Sequence, residues 1–389
     1  MFTKLSRTIS FLFVIALVCM MPRISSMQAA ASQSTQSTTQ RTTSKDDSNW
    51  NWTHSENGIK FSVTIHGEVE FEDDYSDVRG IKTDDGSLRI LDERGGVTRR
   101  FEVKVTSEGI KRSYSINGQS SPINDEARAW LKKVLKDTVI QGGYDAKPRV
   151  RRILAQSGPS GVLAEISTLK SDYVKRIYFD ELLAQGNLDA ATARQALRQA
   201  AQEIKSDYEK SQLLIKMSAN YVRDDQSREI YIEGVNSINS SYEKGRALSA
   251  LLKQGNLSHE NLLFTIKSAH NISSDYERAQ LLIKIASGFP LDERARAAYL
   301  EGISSMSSDY EKGRVLSALL KKDDLRKENL LFAIKSASTI NSDYERAQLL
   351  IKIAAASSGD ESVRNALVDS ARSIRSEYER GRVLSAVFK

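Results

Sequence analysis

Ser308-Asp309-Tyr310-Glu311-Lys312-Gly313-Arg314-Val315-Leu316-Ser317-Ala318-Leu319-Leu320 is the stretch on which the fold turns, because the chain returns to it at a fixed interval. Its tyrosine has counterparts at Tyr173, Tyr208, Tyr242, Tyr276, Tyr344 and Tyr378, 35 residues apart in the first step and 34 in every later one. A constant step of this size marks a stacked array of helical hairpins, each burying its apolar face against the next. The serine reads as an N-cap, and glutamate three residues on completes a capping box in which the carboxylate reaches back to the cap amide. The first copy departs, with Val174 where the glutamate should be. Aspartate at the first helical position suits the positive end of the helix dipole.

Val315, Leu316, Leu319 and Leu320 form a stripe that buries one helix face, and Leu330, Ile334 and Ala337 do the same for a second helix. Breaks between the two helices are expected at Gln185-Gly186-Asn187, Gln254-Gly255-Asn256, Gly288-Phe289-Pro290, Lys322-Asp323-Asp324 and Ser358-Gly359-Asp360. A longer period of 68 residues overlies the short one: Tyr242, Tyr310 and Tyr378 are followed by Glu-Lys/Arg-Gly-Arg, the alternate tyrosines by Glu-Lys/Arg-Ser/Ala-Gln. Glycine inside a helix costs about 1 kcal/mol against alanine. Gly245, Gly313 and Gly381 are therefore expected where a neighbouring helix approaches closely.

Outward from the array, the chain divides into four. Residues 1–31 read as an export signal, with Lys4 and Arg7 before an apolar run from Ile9 to Met21 and a small-residue site at Ala29-Ala30-Ala31. The run is shorter than the roughly 20 residues of a membrane span, so the expected location is periplasmic or secreted, with membrane anchoring if the signal is retained. Taking away Lys4, Arg7 and Arg23 lowers the formal net charge from +6 to +3, which removes most of the support for a polyanion or nucleic-acid partner. The single cysteine, Cys19, goes with the signal, so disulfide and thiol chemistry are not expected.

Residues 32–49 are a Ser/Thr/Gln-rich tract read as a disordered linker. Residues 50–145 alternate apolar and polar side chains, as in Lys60-Phe61-Ser62-Val63-Thr64-Ile65 and Arg100-Phe101-Glu102-Val103-Lys104-Val105. With turn signals at Asp85-Gly86, Gly95-Gly96 and Asn117-Gly118, this predicts an antiparallel meander of six or seven strands. A helix from Asp125 to about Thr138, with Ala129, Trp130, Leu131, Val134 and Leu135 inward, should cover its dry face. Residues 146–389 are the α-helical array, so the fold class is α+β: a β-meander module followed by a HEAT- or TPR-like solenoid.

Few groupings with chemistry survive inspection. His259-Glu260 begins like a zinc-peptidase helix, but Leu263 stands where the second histidine is needed. No nucleophile elbow or phosphate loop is present, and Gly158-Pro159-Ser160-Gly161 reads as a joint between two short helices. Glu68, Glu70, Glu72, Asp73, Asp74 and Asp77 carry enough oxygen for calcium, yet the alternating glutamates also describe a solvated sheet face. No catalytic residue, cofactor or metal is assigned. The sharper candidates are Tyr242, Arg246, Tyr310, Arg314, Tyr378 and Arg382, an aromatic and a guanidinium at i, i+4 in every second repeat. In register they line a groove for an acidic or extended peptide; alternatively, each tyrosine packs on the preceding repeat and each arginine holds a neighbouring carboxylate or carbonyl. The structural role is preferred, because a residue present in every unit usually joins units.

Gly67-Glu68-Val69-Glu70-Phe71-Glu72-Asp73-Asp74, Glu126-Ala127-Arg128-Ala129-Trp130-Leu131, Val162-Leu163-Ala164-Glu165-Ile166 with Ser171-Asp172-Tyr173, and Gly186-Asn187-Leu188-Asp189 carry a resemblance. They resemble the extracytoplasmic C-terminal region of bacterial antirepressor-type membrane zinc peptidases of the β-lactam-sensing kind. The multi-span membrane part and the His-Glu-x-x-His motif of those peptidases have no counterpart in this sequence. The resemblance therefore implies a detached sensor or interaction module and not a peptidase. The expected function is a non-catalytic scaffold that binds a protein or peptide of the cell envelope. The rivals are a glycan-binding or hydrolytic protein using Trp50, Trp52 and His54, and a structural spacer.

Overall fold

The computed structural model describes residues 38–43, 49–56, 58–185, 188–320, 327–357 and 359–389. The assigned signal, most of the assigned linker, and the breaks at Gly186-Asn187, Lys322-Asp324 and Ser358 lie outside them. No helix among the described residues is long and apolar enough to cross a membrane.

The β module contains β1 (Thr38–Thr43), β2 (Asn49–Glu56), β3 (Ile59–His66), β4 (Val69–Phe71), β5 (Val78–Ile81), β6 (Ser87–Arg94), β7 (Val97–Thr106), β8 (Gly109–Ile116) and β9 (Gln119–Ser120). Seven of them form one antiparallel sheet in the order β1-β2-β3-β6-β7-β8-β9, while β4 and β5 pair apart as a two-stranded ribbon. The meander is thus interrupted: the chain leaves the sheet after β3, makes the ribbon and returns at β6. The Gly95-Gly96 and Asn117-Gly118 turns have positive φ at both residues, which a two-residue hairpin needs to follow the strand twist. β1 corrects the linker assignment, since Thr38–Thr43 pairs with β2 from Thr38 opposite Ser55 to Thr43 opposite Trp50. Edge pairing is made by backbone groups and needs no apolar side chain, and threonine is a strand former.

Alternate residues of the central strands (Phe61, Val63, Ile65, Leu88, Ile90, Phe101 and Val103) turn to a dry face. Helix α1 (Asp125–Gly142) covers that face with Ala127, Leu131, Val134, Leu135 and Val139, and its N-cap Asn124 accepts from the Ala127 amide. It runs a turn further than expected, and Ala129 points to solvent, the i, i+4 stripe being set by Ala127. Asp92 is buried on the same face, where its carboxylate accepts from Trp130 Nε1 at 2.9 Å and from Arg94 Nε at 2.6 Å.

The array begins with α2 (Ala146–Thr168), broken at Gly158, whose φ of 64° lies just before Pro159. It continues as α3 (Asp172–Gln185), α4 (Ala190–Glu203), α5 (Asp207–Tyr221), α6 (Asp225–Asn236), α7 (Ser241–Leu252), α8 (His259–His270) and α9 (Asp275–Gly288). The last six helices are α10 (Glu293–Ser304), α11 (Asp309–Leu319), α12 (Lys327–Ala337), α13 (Asp343–Ala356), α14 (Glu361–Arg372) and α15 (Glu377–Val387). The odd helices α3 to α15 pack in series as one layer; the even helices pack beside one another from α2 to α10, and α12 beside α14, as a second. One continuous apolar cluster runs between the layers from Ile140 to Val383. In the even layer Tyr231 and Tyr299, 68 residues apart, are fully buried and donate their hydroxyls to Ala247 O at 2.9 Å and Val315 O at 3.3 Å.

Every odd helix from α5 to α15 starts on the expected serine, whose hydroxyl accepts from the glutamate amide three residues on at 3.3–3.4 Å. The other half of the expected capping box is made differently. The cap amide goes to the aspartate of the preceding repeat: Asp172 accepts from Lys205 N and Ser206 N, Asp207 from Asn239 N and Ser240 N, and Asp275 from Ser307 N and Ser308 N. Asp309 does the same for Asn341 and Ser342, and Asp343 for Ser376. At one junction the donor's partner is a hydroxyl, because Ser241 stands where the others have aspartate and accepts from Ser274 N at 3.3 Å. An ionised carboxylate accepting backbone amides is a strong contact, so this aspartate joins repeats as well as suiting its own helix dipole.

The basic residue two places after each tyrosine is a second joint. Lys175, Lys210, Lys244, Arg278 and Lys312 are buried and reach the C-terminal end of the following even helix: Glu203 O, Ser237 Oγ, Asn271 O, Ser305 Oγ and Thr339 O. Cations belong at that end of a helix, where carbonyls are unsatisfied and the dipole is negative. Burial lowers the pKa of Lys210, Lys244 and Arg278.

Candidate functional site

The candidate residues sit at the N-terminal ends of the odd helices. All seven repeat tyrosines share that position and all are exposed, from 36% for Tyr173 to 54–58% for the five internal rings and 74% for Tyr378. None of the seven is buried, so the aromatic half of the motif is not part of the core, although Tyr310 lies beside Ile283 and Ser287 of the preceding repeat.

The arginine half behaves as expected and does more. Arg246, Arg314 and Arg382 each donate to the glutamate of their own helix, Glu243, Glu311 and Glu379, at 2.7–2.8 Å. With the Gln212 amide turned so that its oxygen faces the guanidinium, Arg246 also reaches the preceding repeat at 2.9 and 3.1 Å. Each guanidinium lies over the ring of its own tyrosine, 5.7 Å away for Tyr242, 5.8 Å for Tyr310 and 5.9 Å for Tyr378. Arg314 is also 6.0 Å from Tyr276, so one cation stands between the rings of two repeats. Such contacts contribute about 0.5–1 kcal/mol at exposed sites. The result is a row of exposed rings interleaved with oriented guanidinium groups.

The helical glycines are explained differently from expectation. A Cβ placed on Gly245 or Gly313 would meet no neighbouring backbone within 4 Å; its nearest neighbour is Glu277 Oε2 at 3.4 Å or Glu345 Oε2 at 3.6 Å. A Cβ on Gly381 would meet nothing within 4 Å. Close helix approach therefore does not require glycine here. Instead, the missing side chain leaves an open depression of about 370 Å³ between α11 and α13, lined among others by Tyr310, Gly313, Arg314, Ser317, Glu345 and Lys352.

The remaining candidates are occupied by structure. Trp50 and Trp52 are 5% and 9% exposed and belong to the core of the β module; Trp50 packs on Gly142, and Trp52 stands edge-on to Phe61. His54 is stacked on Trp52 at 6.5 Å. In the acidic run, Glu68 and Glu70 pair with Lys82, Glu72 and Asp73 with Arg79, Asp74 with Lys132, and Asp77 with Arg112. Among the described residues no three His, Cys, Asp or Glu side chains are grouped for a metal. His259 is exposed and contacts Asp292 at 2.9 Å, while Leu263 points into the core. A depression of about 500 Å³ between α1 and the sheet is lined by Asp77, Arg112 and Lys132, which these ion pairs already use.

At the junction of the two parts, Tyr75 adopts φ 57° and its hydroxyl meets Asp145 at 3.1 Å and Arg152 at 2.7 Å, with Arg149 5.5 Å above the ring. Sequence reasoning missed this cluster, since Tyr75 lies 70 residues from Asp145 and 77 from Arg152 in the chain. Comparison with models of known protein families, with curated proteins and with solved structures found no match.

Proposed function

We propose that this chain is an exported, non-catalytic scaffold whose helical array binds a protein or peptide partner, as an accessory or sensor module in signalling at the bacterial envelope. The observation that carries the binding half is the row of exposed tyrosines along one layer of the array, with a guanidinium 5.3–6.0 Å from the rings of Tyr173, Tyr242, Tyr276, Tyr310 and Tyr378. Rings at more than half exposure in six successive units lie outside the core, and a periodic exposed aromatic surface fits the extended binding faces of solenoids. Export is supported by the basic start, apolar run and small-residue site of residues 1–31. Envelope signalling is supported by the resemblance to the sensor region of antirepressor peptidases. The buried indoles of Trp50 and Trp52 leave the glycan-binding alternative without the stacking faces it was built on.

The test is titration of labelled peptides by fluorescence anisotropy against the full chain and against a Tyr242→Ala, Tyr310→Ala, Tyr378→Ala variant. Saturable binding by the parent that weakens at least tenfold in the variant, which keeps the parent's helical circular dichroism at the assay temperature, supports the reading. Equal binding by the two proteins sinks it.

A further inference from the structure

The junction between α3 and α5 differs from the later ones in a way that describes a ligand. Arg176, three residues after Tyr173, donates Nε to the Glu209 carboxylate and Nη1 to Asp180, and Asp180 also accepts from Lys216 Nζ at 2.9 Å. These four side chains make a line of alternating charge, Glu209–Arg176–Asp180–Lys216, across the groove between the two helices. The Arg176 guanidinium lies 5.3 Å over the Tyr173 ring.

At the equivalent places of the later double repeats the ends of the line remain and its middle is gone. Glu209 corresponds to Glu277 and Glu345, and Lys216 to Lys284 and Lys352; Arg176 corresponds to Gly245 and Gly313, and Asp180 to Ser249 and Ser317. Lys284 and Lys352 turn to those serines, at 2.9 and 3.4 Å. Glu277 and Glu345 are half-buried and, among the described residues, have no ion-pair partner. Arg314 does not serve Glu345, because its own Glu311 holds it at 2.7 Å. A half-buried carboxylate facing vacated space beside an exposed ring is an unmet demand for a cation, and the lysine at the other end is one for an anion.

We infer that the depression at Gly313/Ser317, and the matching position at Gly245/Ser249, receive from a partner peptide what Arg176 and Asp180 supply internally in the first repeat. These are a guanidinium placed on Glu277 or Glu345 and a neighbouring carboxylate placed on Lys284 or Lys352. The ligand class is a peptide in which an arginine lies close enough to an acidic residue for the two to pair. The inference rests on the array being a peptide-binding face and specifies what that face selects.

The probe is a fluorescein-labelled Gly/Ser peptide carrying one Arg–Asp pair. It is compared with the same peptide bearing citrulline for arginine, with one bearing asparagine for aspartate, and with a purely acidic peptide. Charge-assisted hydrogen bonds are strong enough that each neutral replacement should weaken binding roughly tenfold or more. A variant with Gly245→Arg, Ser249→Asp, Gly313→Arg and Ser317→Asp, which copies the first repeat, should bind no better than background. If that variant misfolds by circular dichroism, the isosteric Glu277→Gln, Glu345→Gln variant decides, with the same tenfold loss expected. Equal affinity of the arginine and citrulline peptides, or unchanged affinity in the glutamine variant, overturns this inference while leaving a peptide-binding face standing. Absence of saturable binding by every peptide overturns both.

Discussion

The two parts of the molecule use aromatic side chains in opposite ways. In the β module Trp50, Trp52, Phe61 and Phe101 are buried, and the sheet closes on α1 around them. In the array one set of tyrosines, Tyr231 and Tyr299, is buried between the layers, while the more regular set from Tyr173 to Tyr378 lies outside. Regularity in the chain therefore does not report burial. The joints that hold the repeats are polar and attached to backbone: an aspartate on the next cap and a lysine or arginine on the next helix end. This arrangement frees the tyrosine between them for another use.

The contrast predicts a graded set of effects. Trp52→Ala should cost about 3–5 kcal/mol by removing a buried ring from a closed core, and urea unfolding followed by the near-ultraviolet signal of the tryptophans should measure it. Asp309→Ala removes an acceptor from two backbone amides and should cost about 1–3 kcal/mol, read as a lower midpoint in the helical signal. Acid should act on the same joints. Burial tends to raise the Asp309 carboxyl, but the amides of Asn341 and Ser342 and the Lys312 ammonium hold it below the usual range; the Ser376 amide does the same for Asp343. A depressed folded-state value means that this stabilisation is complete above the unfolded aspartate pKa of about 3.9 and is lost as pH falls through the folded value. The urea midpoint should therefore drop below about pH 4, and less steeply in Asp309→Asn, Asp343→Asn. Smallest of all, Tyr310→Ala should cost about 1 kcal/mol or less, the size of its exposed contact with Arg314; a loss comparable to that of Trp52→Ala would erase the distinction between the two regions.

Much of this was legible in the sequence, for reasons that particular residues make plain. Ser206 to Ser376 mark helix starts because a cap is a local event, encoded within four residues. The pairing of Asp309 with Asn341 and Ser342 was hidden, because its partners are backbone amides and amides have no letter. The same holds for Lys312 and Thr339 O. The exposure of Tyr310 was not legible, because a recurring aromatic reads alike whether it joins repeats or faces outward. Thr38–Thr43 was hidden because edge pairing leaves no apolar pattern. The change from Arg176 to Gly245 and Gly313 stood in the sequence throughout, but its meaning needed Glu209 and Glu345 to be placed against those positions in space.

Because glycine-bearing helices alternate with others, Gly245 and Gly313 fall two helices apart along the layer. At 8–10 Å between packed helices that is about 16–20 Å, a distance an extended chain covers in about six residues. A strand displaying two arginine–acid pairs at that interval would engage both vacancies at once, converting two weak contacts into one with avidity. The array would then measure the length of what it holds as well as its charge.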